Sequence, residues 1–293
     1  MKRSSEPIRQ HWVPKVYLRN FATQSTSSAE DPQAHVYEVN TGREFCTSIS
    51  KILVKKHLYT IGANEPQPLH VAEETLSKIE SWAAPSLLAL ALGKAVHCNH
   101  NHRQLLAIFF ATLLMRNPRM IAVQEHGFKS IAEDSYLSSS GSSTSEGYAK
   151  GSREVYEWYS SLDKKGKHIV FIRSVLNTAT TLAAVLKGKP WYLFRASDGY
   201  FLTSDNPVVV FHPTLTPHGI GTPGVHIHVA ISPQLLLWIG CEVELDESAL
   251  HHMPRQLVEH MNYFTSWRAE RFVVSSREFG DVRQLIRNAR YEI

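Results

Sequence analysis

The sequence predicts an α+β protein in which a helical central region packs against a mainly antiparallel sheet formed by the C-terminal part of the chain. Three observations lead to this fold class. Helical periodicity fills residues 70–188, short β-rich runs separated by Gly and Pro occupy residues 190–293, and a hairpin pattern lies within residues 1–60. Because helices and strands segregate along the chain, a doubly wound parallel sheet is disfavoured. We treat residues 1–293 as a single domain.

Composition indicates a packed globular protein and says little about partners. The chain has 293 residues, of which 43% are apolar and 10% aromatic, and it carries a formal net charge of +4. This mild charge is compatible with a phosphate-bearing partner but does not require one. The three cysteines lie far apart in the sequence, which favours unpaired thiols in a reducing compartment.

No segment of the sequence predicts export or membrane insertion. The basic N-terminus lacks the apolar region of a secretory signal that would follow it. The longest apolar stretch, residues 105–115, has about half the length that a membrane crossing needs. We therefore expect a cytoplasmic protein without a membrane partner.

The N-terminal part predicts a hairpin followed by a long helix. Two β-prone runs lie within residues 34–48, and Gly42 between them can supply the positive φ of a tight hairpin. Residues 51–60 predict a short strand or a helical turn. The acidic stretch that follows suits the start of a helix, which we expect to reach about Leu92. Pro85 is expected to kink or split this helix.

The central part predicts further helices around one loop. From His102 the apolar pattern indicates a buried helix, which is interrupted near Pro118 and followed by a second helix. Residues 137–152 are rich in Ser and Gly and have little to bury, so they predict a mobile loop. Helical periodicity then resumes and ends at Gly188.

After Pro190 the pattern changes to short strands. Runs rich in β-branched and aromatic residues alternate with Gly and Pro, as expected for antiparallel strands. Residues 254–267 predict a helix, residues 271–276 a returning strand, and residues 280–290 a closing helix.

Two segments of the chain resemble a known family. Residues 11–23, HWVPKVYLRNFAT, resemble the opening of domain-of-unknown-function family 4238, whose pattern is close to H-x-x-P-x-x-Y-L-(R/K)-x-F. The T-S-D-N-P-V run at residues 203–208 is similar to a second pattern of this family, and the likeness extends over nearly the whole chain. The resemblance implies little chemistry, although some similar proteins occur as single-gene anti-phage defence systems. The matched opening residues are His11, Pro14, Tyr17, Leu18, Arg19 and Phe21.

The T-S-D-N-P-V run permits two interpretations. In the first, Asp205 accepts backbone N–H groups as part of a turn, and Pro207 stops further strand pairing. In the second, Asp205 is a functional carboxylate at a strand end that opens into a cleft, with Ser204 and Asn206 beside it. Both interpretations stay open.

The functional interpretation requires the two family segments to meet. If Asp205 shares a cleft with His11 and Arg19, the arginine can position a phosphate, the histidine can move a proton, and the carboxylate can hold the histidine tautomer or a metal. The catalytic candidates are His11, Glu73, Asp205 and Asn206. The substrate-binding candidates are Tyr17, Arg19, Asn20, Arg116 and Ser204.

Several of these candidates also have a purely structural interpretation. Glu73 lies near a predicted helix start, where carboxylates are favoured electrostatically. Arg116 follows a buried helix, where a cation interacts with the helix dipole. Tyr17 has a hydroxyl that a backbone partner can satisfy.

The histidines do not form a complete metal motif. The segment from His97 to His102 contains ligand types without the spacing of a zinc site. His226 and His228 share one face of a predicted strand and could bind a metal together with Asp205, but histidines without a metal are the favoured interpretation. The metal ligands stay unassigned, and Mg²⁺ or Mn²⁺ stays open as a cofactor.

Two functional hypotheses remain. In the first, the chain is an anti-phage defence effector enzyme, such as a nuclease or other phosphoester hydrolase, acting on nucleic acid or a nucleotide through the His/Arg/Asp-Asn cleft. In the second, it is a noncatalytic binding or sensor module that recognises a phage or host protein. The sequence contains no P-loop, no G-x-G-x-x-G, no G-x-S-x-G and no H-E-x-x-H pattern, which disfavours the corresponding enzyme classes.

Overall fold

Helices and strands segregate along the chain, which confirms the predicted α+β class. The computed structural model describes residues 9–63, 68–120, 122–124, 126–127, 129, 153–212, 219–240 and 244–291. The strands are β1 (Arg9–His11), β2 (Gln33–Glu38), β3 (Arg43–Ser48), β4 (Val54–Lys56), β5 (Trp191–Ala196), β6 (Thr203–Ser204), β7 (Val208–Phe211), β8 (His226–Ser232), β9 (Leu235–Ile239), β10 (Leu250–Met253) and β11 (Phe272–Ser275). The α-helices whose bounds lie within the described residues are α1 (Lys15–Leu18), α2 (Val71–Ala91), α3 (His100–Met115), α4 (Lys164–Gly188), α5 (Arg255–Arg268) and α6 (Val282–Tyr291). Residues 153–161 are helical as well.

A five-stranded sheet with the order β10-β5-β9-β8-β7 forms the centre of the fold, and all of its pairs except β10 with β5 are antiparallel. Successive side chains of a strand point to opposite faces. On one face, the Trp191 indole N–H donates to the Leu186 carbonyl at 2.8 Å, and its ring lies against Phe110. On the other face, Phe211 stacks on Phe264 of α5 with 4.6 Å between the ring centroids. The sheet therefore lies between α3 and α4 on one side and α5 on the other.

A second sheet, with the order β3-β2-β11-β6, contains the predicted hairpin. Gly42 in its turn has φ +70°, a conformation that favours glycine, so the hairpin prediction and its reason are both confirmed. The hairpin is extended by β11 and β6 from the C-terminal part of the chain. This antiparallel sheet thereby joins strands from the N-terminal part of the chain to strands from the C-terminal part.

The helical region follows the prediction except at one proline. α2 runs without interruption through Pro85, so the expectation of a split helix is wrong. Ala83, Leu87 and Leu90 are buried around it, and this packing outweighs the single missing hydrogen bond. α3 ends before Pro118 as predicted. The loop predicted at residues 137–152 lies outside the described residues.

α4 packs along α3 and contributes to the core. By length and composition alone it could cross a membrane. In the fold, Phe171, Val175, Ala179 and Leu186 of this helix are buried against other parts of the chain.

Candidate functional site

The two family segments lie against each other in the fold, as the functional hypothesis required. The Trp12 indole N–H donates to the backbone carbonyl of Asp205 at 3.2 Å. The Tyr17 hydroxyl lies 2.8 Å from Thr203 Oγ1. These bonds span more than 180 positions in the sequence. The N-terminal segment is therefore held on the turn that follows β6.

The carboxylate of Asp205 is fully engaged by the backbone that enters β11. Its Oδ1 atom accepts the Glu270 N–H at 2.9 Å. Its Oδ2 atom accepts the Arg271 N–H at 2.7 Å and the Phe272 N–H at 3.0 Å. The side chain is 2% exposed, so no face of the carboxylate is open to solvent. This geometry agrees with the turn interpretation, in which Asp205 satisfies backbone donors.

Burial raises the pKa of Asp205 to about 6, and the hydrogen bonds from Glu270, Phe272 and Arg271 limit the rise. At pH 7.5 the group is therefore mainly ionised. Both oxygens of this carboxylate already accept amide hydrogens and are closed to solvent, so a substrate proton cannot reach them and the arrangement suits anchoring better than proton transfer.

The neighbours of Asp205 complete the turn. Ser204 is buried, and its Oγ atom accepts the Asn206 N–H at 3.1 Å. The Asn206 side-chain amide donates to the Arg268 carbonyl at the end of α5, at 3.3 Å. The Ser204 side chain thus bonds within the turn, and the Asn206 side chain ties the turn to the end of α5. Such contacts are expected of turn residues.

The N-terminal opening, residues 11–23, makes similar backbone contacts. The Tyr17 hydroxyl donates to the Ala230 carbonyl at 2.6 Å, and the Asn20 amide donates to the Ile231 carbonyl at 3.0 Å. Tyr17 is completely buried, and this burial raises the pKa of its hydroxyl above the ordinary value, so the hydroxyl stays protonated. Both residues dock the N-terminal segment on β8.

The structure does not join His11, Arg19 and Asp205 by hydrogen bonds. The His11 Nε2 atom lies 3.4 Å from the Ile49 carbonyl oxygen. Arg19 is exposed, and its guanidinium donates to the Ala29 carbonyl at 3.1 Å. The predicted trio is therefore corrected: the backbone segments meet, but within the described residues the three side chains have separate partners.

The pKa of His11 is lowered to about 4, mainly because burial disfavours the charged ring and secondarily because Lys15 and Arg116 are close. The ring is neutral at physiological pH. The Nε2 hydrogen points to a carbonyl, so the arrangement fixes the tautomer without any contribution from Asp205.

Arg116 forms a second polar cluster that also contacts the N-terminal segment. Its Nη2 donates to the His11 carbonyl at 2.8 Å, and its Nη1 contacts a carboxylate oxygen of Glu80 at 2.6 Å. Tyr59 closes the cluster, because its hydroxyl donates to the Arg116 carbonyl at 3.0 Å. The guanidinium is buried, so this ion pair is protected from screening by salt.

Glu73 borders the Arg116 cluster and is the predicted candidate with the least satisfied side chain. Its Oε2 atom is buried without a hydrogen-bond partner among the described residues. Burial raises the pKa of Glu73, although the nearby Arg116 opposes the rise. The group lies in the first turn of α2, as predicted.

Sequence reasoning missed three residues that carry these clusters. Glu80 and Tyr59 hold Arg116, and Trp12 holds the Asp205 turn. Trp12 lies inside residues 11–23, and its place in this family segment is the sequence signal that could have identified it. Glu80 is one of several acidic residues of α2, and its residue type alone does not distinguish it from the others.

The described residues contain no group of three or more His, Cys, Asp or Glu side chains placed to hold a metal ion. His228 does lie on β8 two residues from His226, but its Nε2 atom lies 3.2 Å from Thr265 Oγ1. A cavity of about 550 Å³ is present elsewhere, between the residue 196–200 segment, α5 and the start of α6, and none of the predicted site residues lines it.

Replacing Trp12 with Phe tests the docking of the N-terminal segment. Loss of the indole hydrogen bond to the Asp205 carbonyl should lower the free energy of unfolding by about 1 kcal/mol. Urea denaturation followed by circular dichroism measures this change. The matched control is Trp158→Phe, because Trp158 is exposed. Equal stability of the Trp12→Phe variant and the parent would contradict the assigned bond.

Comparisons with known proteins identify the family alone. No curated protein and no solved structure shows a significant match to the chain. One family model, described as a protein of unknown function (DUF4238), matches residues 9–279. This match includes the N-terminal opening, all three sheets of the described residues and the T-S-D-N-P-V turn. The chain therefore belongs to the DUF4238 family.

Proposed function

We propose that the chain acts in anti-phage defence, in the cytoplasm, as a noncatalytic binding module that recognises a phage or host protein. The defence setting rests on the resemblance to a family with members in such systems. The noncatalytic assignment rests on one observation, the complete engagement of the Asp205 carboxylate by three backbone amides.

Three of the other candidates, Tyr17, Asn20 and Arg116, support the same proposal. Tyr17, Asn20 and Arg116 each donate to a backbone carbonyl, so their polar atoms hold segments of the chain together. A catalytic group needs a free polar atom within reach of substrate. These three residues thus stabilise the fold around the N-terminal segment, and we assign partner recognition to another part of the surface.

The outer face of α2 has the composition of a protein-binding surface. Trp82, Leu88 and Leu92 are 59%, 59% and 64% exposed, and Pro85 lies between them on the same face of the helix. Tryptophan is enriched among the residues that dominate binding energies, and clustered exposed apolar side chains mark interaction sites. We name these four residues the α2 face.

A pair of substitutions on the α2 face tests the proposal. The Trp82→Ser/Leu88→Ser variant should fold normally, because both side chains are exposed, but it should lose protection of cells against phage. Phage plating efficiency and melting temperature are the two measurements. The control is Trp158→Ser, which removes an equally exposed tryptophan elsewhere and should retain protection.

The enzyme hypothesis makes the opposite prediction. Under it, His11→Asn should abolish protection without loss of stability, and purified protein should degrade DNA, tRNA or a nucleotide in the presence of Mg²⁺ or Mn²⁺. Under our proposal, His11→Asn retains protection, and no such degradation occurs. Degradation that disappears in His11→Asn would overturn the proposal.

A further inference from the structure

The C-terminal end of the α2 face lies beside Arg195, an arginine of β5. Arg195 is half-buried, and its side chain forms no hydrogen bond and no ion pair within the part of the chain that the structure describes. Its backbone pairs with Leu235 of β9 and with His252 of β10, so strands on both sides hold it in place. The unpaired guanidinium is therefore carried by a rigid part of the fold.

A glycine brings this guanidinium to the end of α2. Gly93 follows Leu92 and turns the chain out of the helix with φ +81°. A methyl group added at Gly93 would lie 2.9 Å from the Arg195 Nη2 atom. The guanidinium therefore lies over Gly93, next in the chain to the exposed Leu92 of the α2 face.

The surroundings of the Arg195 guanidinium favour an anion. The same methyl position at Gly93 would lie 3.6 Å from a methyl carbon of Leu250 and 4.0 Å from one of Leu235, so apolar side chains lie close to the charge. A cation beside apolar groups is partly dehydrated, and a carboxylate that reaches it forms a stronger bond than it would in open solvent. Lys94, which is exposed, adds a second positive charge at this end of α2.

The other end of the outer face of α2 carries balanced charge. Glu74 and Lys78 are exposed, and helical spacing places them on the same side of α2 as Trp82. The excess of positive charge is therefore confined to the C-terminal end of the face. A helix that lies on a membrane carries basic residues along its whole polar border. The α2 face thus suits a protein partner with negative charge at one end better than it suits a lipid surface.

A partner helix that runs antiparallel to α2 matches both parts of this surface. Its first turn lies at the C-terminal end of α2, and carboxylates are favoured in the first turn of a helix by its dipole. Those carboxylates then meet Arg195 and Lys94. Apolar side chains at helical spacing along the partner lie against Leu92, Leu88 and Trp82, which span about 15 Å of α2.

We infer that the partner protein presents an amphipathic helix to the α2 face, and that carboxylates in the first turn of this helix bind Arg195. The α2 face supplies the apolar contact, and Arg195 sets the direction of the bound helix. This inference rests on the proposed function and deepens it, since it states the chemistry of the partner segment.

Two helical peptides of about sixteen residues test the inference. Both carry leucines at helical spacing on one face, and they differ only in the first turn, which holds two glutamates in one peptide and two glutamines in the other. Fluorescence anisotropy of the labelled peptides should show saturable binding to the full chain. The glutamate peptide should bind about fivefold more tightly at low salt, and this preference should shrink as salt is added.

The decisive comparison is with Arg195→Gln, because glutamates in the first turn also stabilise the free peptide helix. Arg195→Gln should lose most of the preference for the glutamate peptide, whereas Arg195→Lys, which keeps the charge, should retain a preference. The melting temperature of Arg195→Gln should equal that of the parent, because the guanidinium holds no described residue. The matched control is Arg173→Gln, which removes an exposed arginine of α4 and should bind both peptides as the parent does.

Three results would overturn the inference. The first is the absence of saturable binding of either peptide at about a millimolar concentration. The second is a preference for the glutamate peptide that is as large in Arg195→Gln as in the parent. The third is binding of phosphatidylserine vesicles by a chain that binds neither peptide, which would assign the α2 face to a membrane.

This inference and the proposed function can fail separately. If Trp82→Ser/Leu88→Ser loses phage protection while Arg195→Gln keeps the full preference for the glutamate peptide, the inference fails and the proposed function stands. If the double variant retains phage protection, the proposed function fails, and the peptide preference of the parent still decides whether Arg195 binds a carboxylate.

Discussion

Replacing Asp205 with Asn should lower the free energy of unfolding by about 3 kcal/mol at pH 7.5. The carboxylate accepts three amide hydrogens while it is 2% exposed. An asparagine keeps one oxygen and turns an NH₂ group toward N–H donors, so buried donors are left without an acceptor. Urea denaturation, monitored by tryptophan fluorescence, measures this change in the free energy of unfolding.

The control for this variant is Asp198→Asn. The Asp198 side chain is 68% exposed, and its Oδ1 accepts the adjacent Gly199 N–H, which an asparagine oxygen also accepts. This variant should change stability by less than about 0.5 kcal/mol. An Asp205→Asn protein with parental stability but no biological activity would contradict the anchoring role and restore the catalytic hypothesis.

Replacing His228 with Phe should flatten the dependence of stability on pH. His228 is completely buried on β8, and its Nδ1 atom has no hydrogen-bond partner among the described residues. Burial, with a smaller contribution from His260, lowers the pKa of His228 to about 3. A proton on the ring would place an unsatisfied charge in the core.

The sign of the effect follows from linkage. The folded-state pKa lies below the unfolded value of 6.5, so between these pH values the unfolded chain binds a proton that the folded protein does not. The stability that His228 contributes is therefore complete above about pH 6.5 and is lost as the pH falls. Between pH 7.5 and pH 4.5 the parent should lose about 3 kcal/mol more than His228→Phe.

Urea denaturation of both proteins at several pH values provides the comparison. Other groups that titrate in this range, such as His11 and Asp205, are present in both proteins, so their contributions cancel in the difference. The control is His252→Phe, because His252 is exposed, and it should keep the parental pH dependence. Parallel stability curves for the parent and His228→Phe would show that His228 titrates normally in the folded protein.

Local sequence patterns predicted most of the helices and strands, because the interactions that favour each element act between residues close together in the sequence. Gly42 marks the hairpin turn through its positive φ, and the acidic start marks α2. The expectation of a split at Pro85 was wrong, because burial of neighbouring side chains keeps the helix continuous. It also did not reveal that β2 pairs with β11, since strands more than 200 positions apart carry no local sign of their pairing.

The candidate site could be predicted in part. The sequence identified Asp205, Arg116 and Tyr17 as unusual polar residues. It did not show which groups form hydrogen bonds with these side chains. Their partners are backbone N–H and C=O groups, which every residue carries and which therefore leave no signal in the sequence.

The sequence by itself determined the α+β class, the order of helices and strands, and the resemblance of residues 11–23 and 203–208 to one family. Only the tertiary structure decided that Asp205 anchors the start of β11 and that Arg116 holds the His11 carbonyl. Propensity and periodicity act between neighbours along the chain, whereas the role of a buried polar atom depends on the distant groups that packing brings within 3 Å of it.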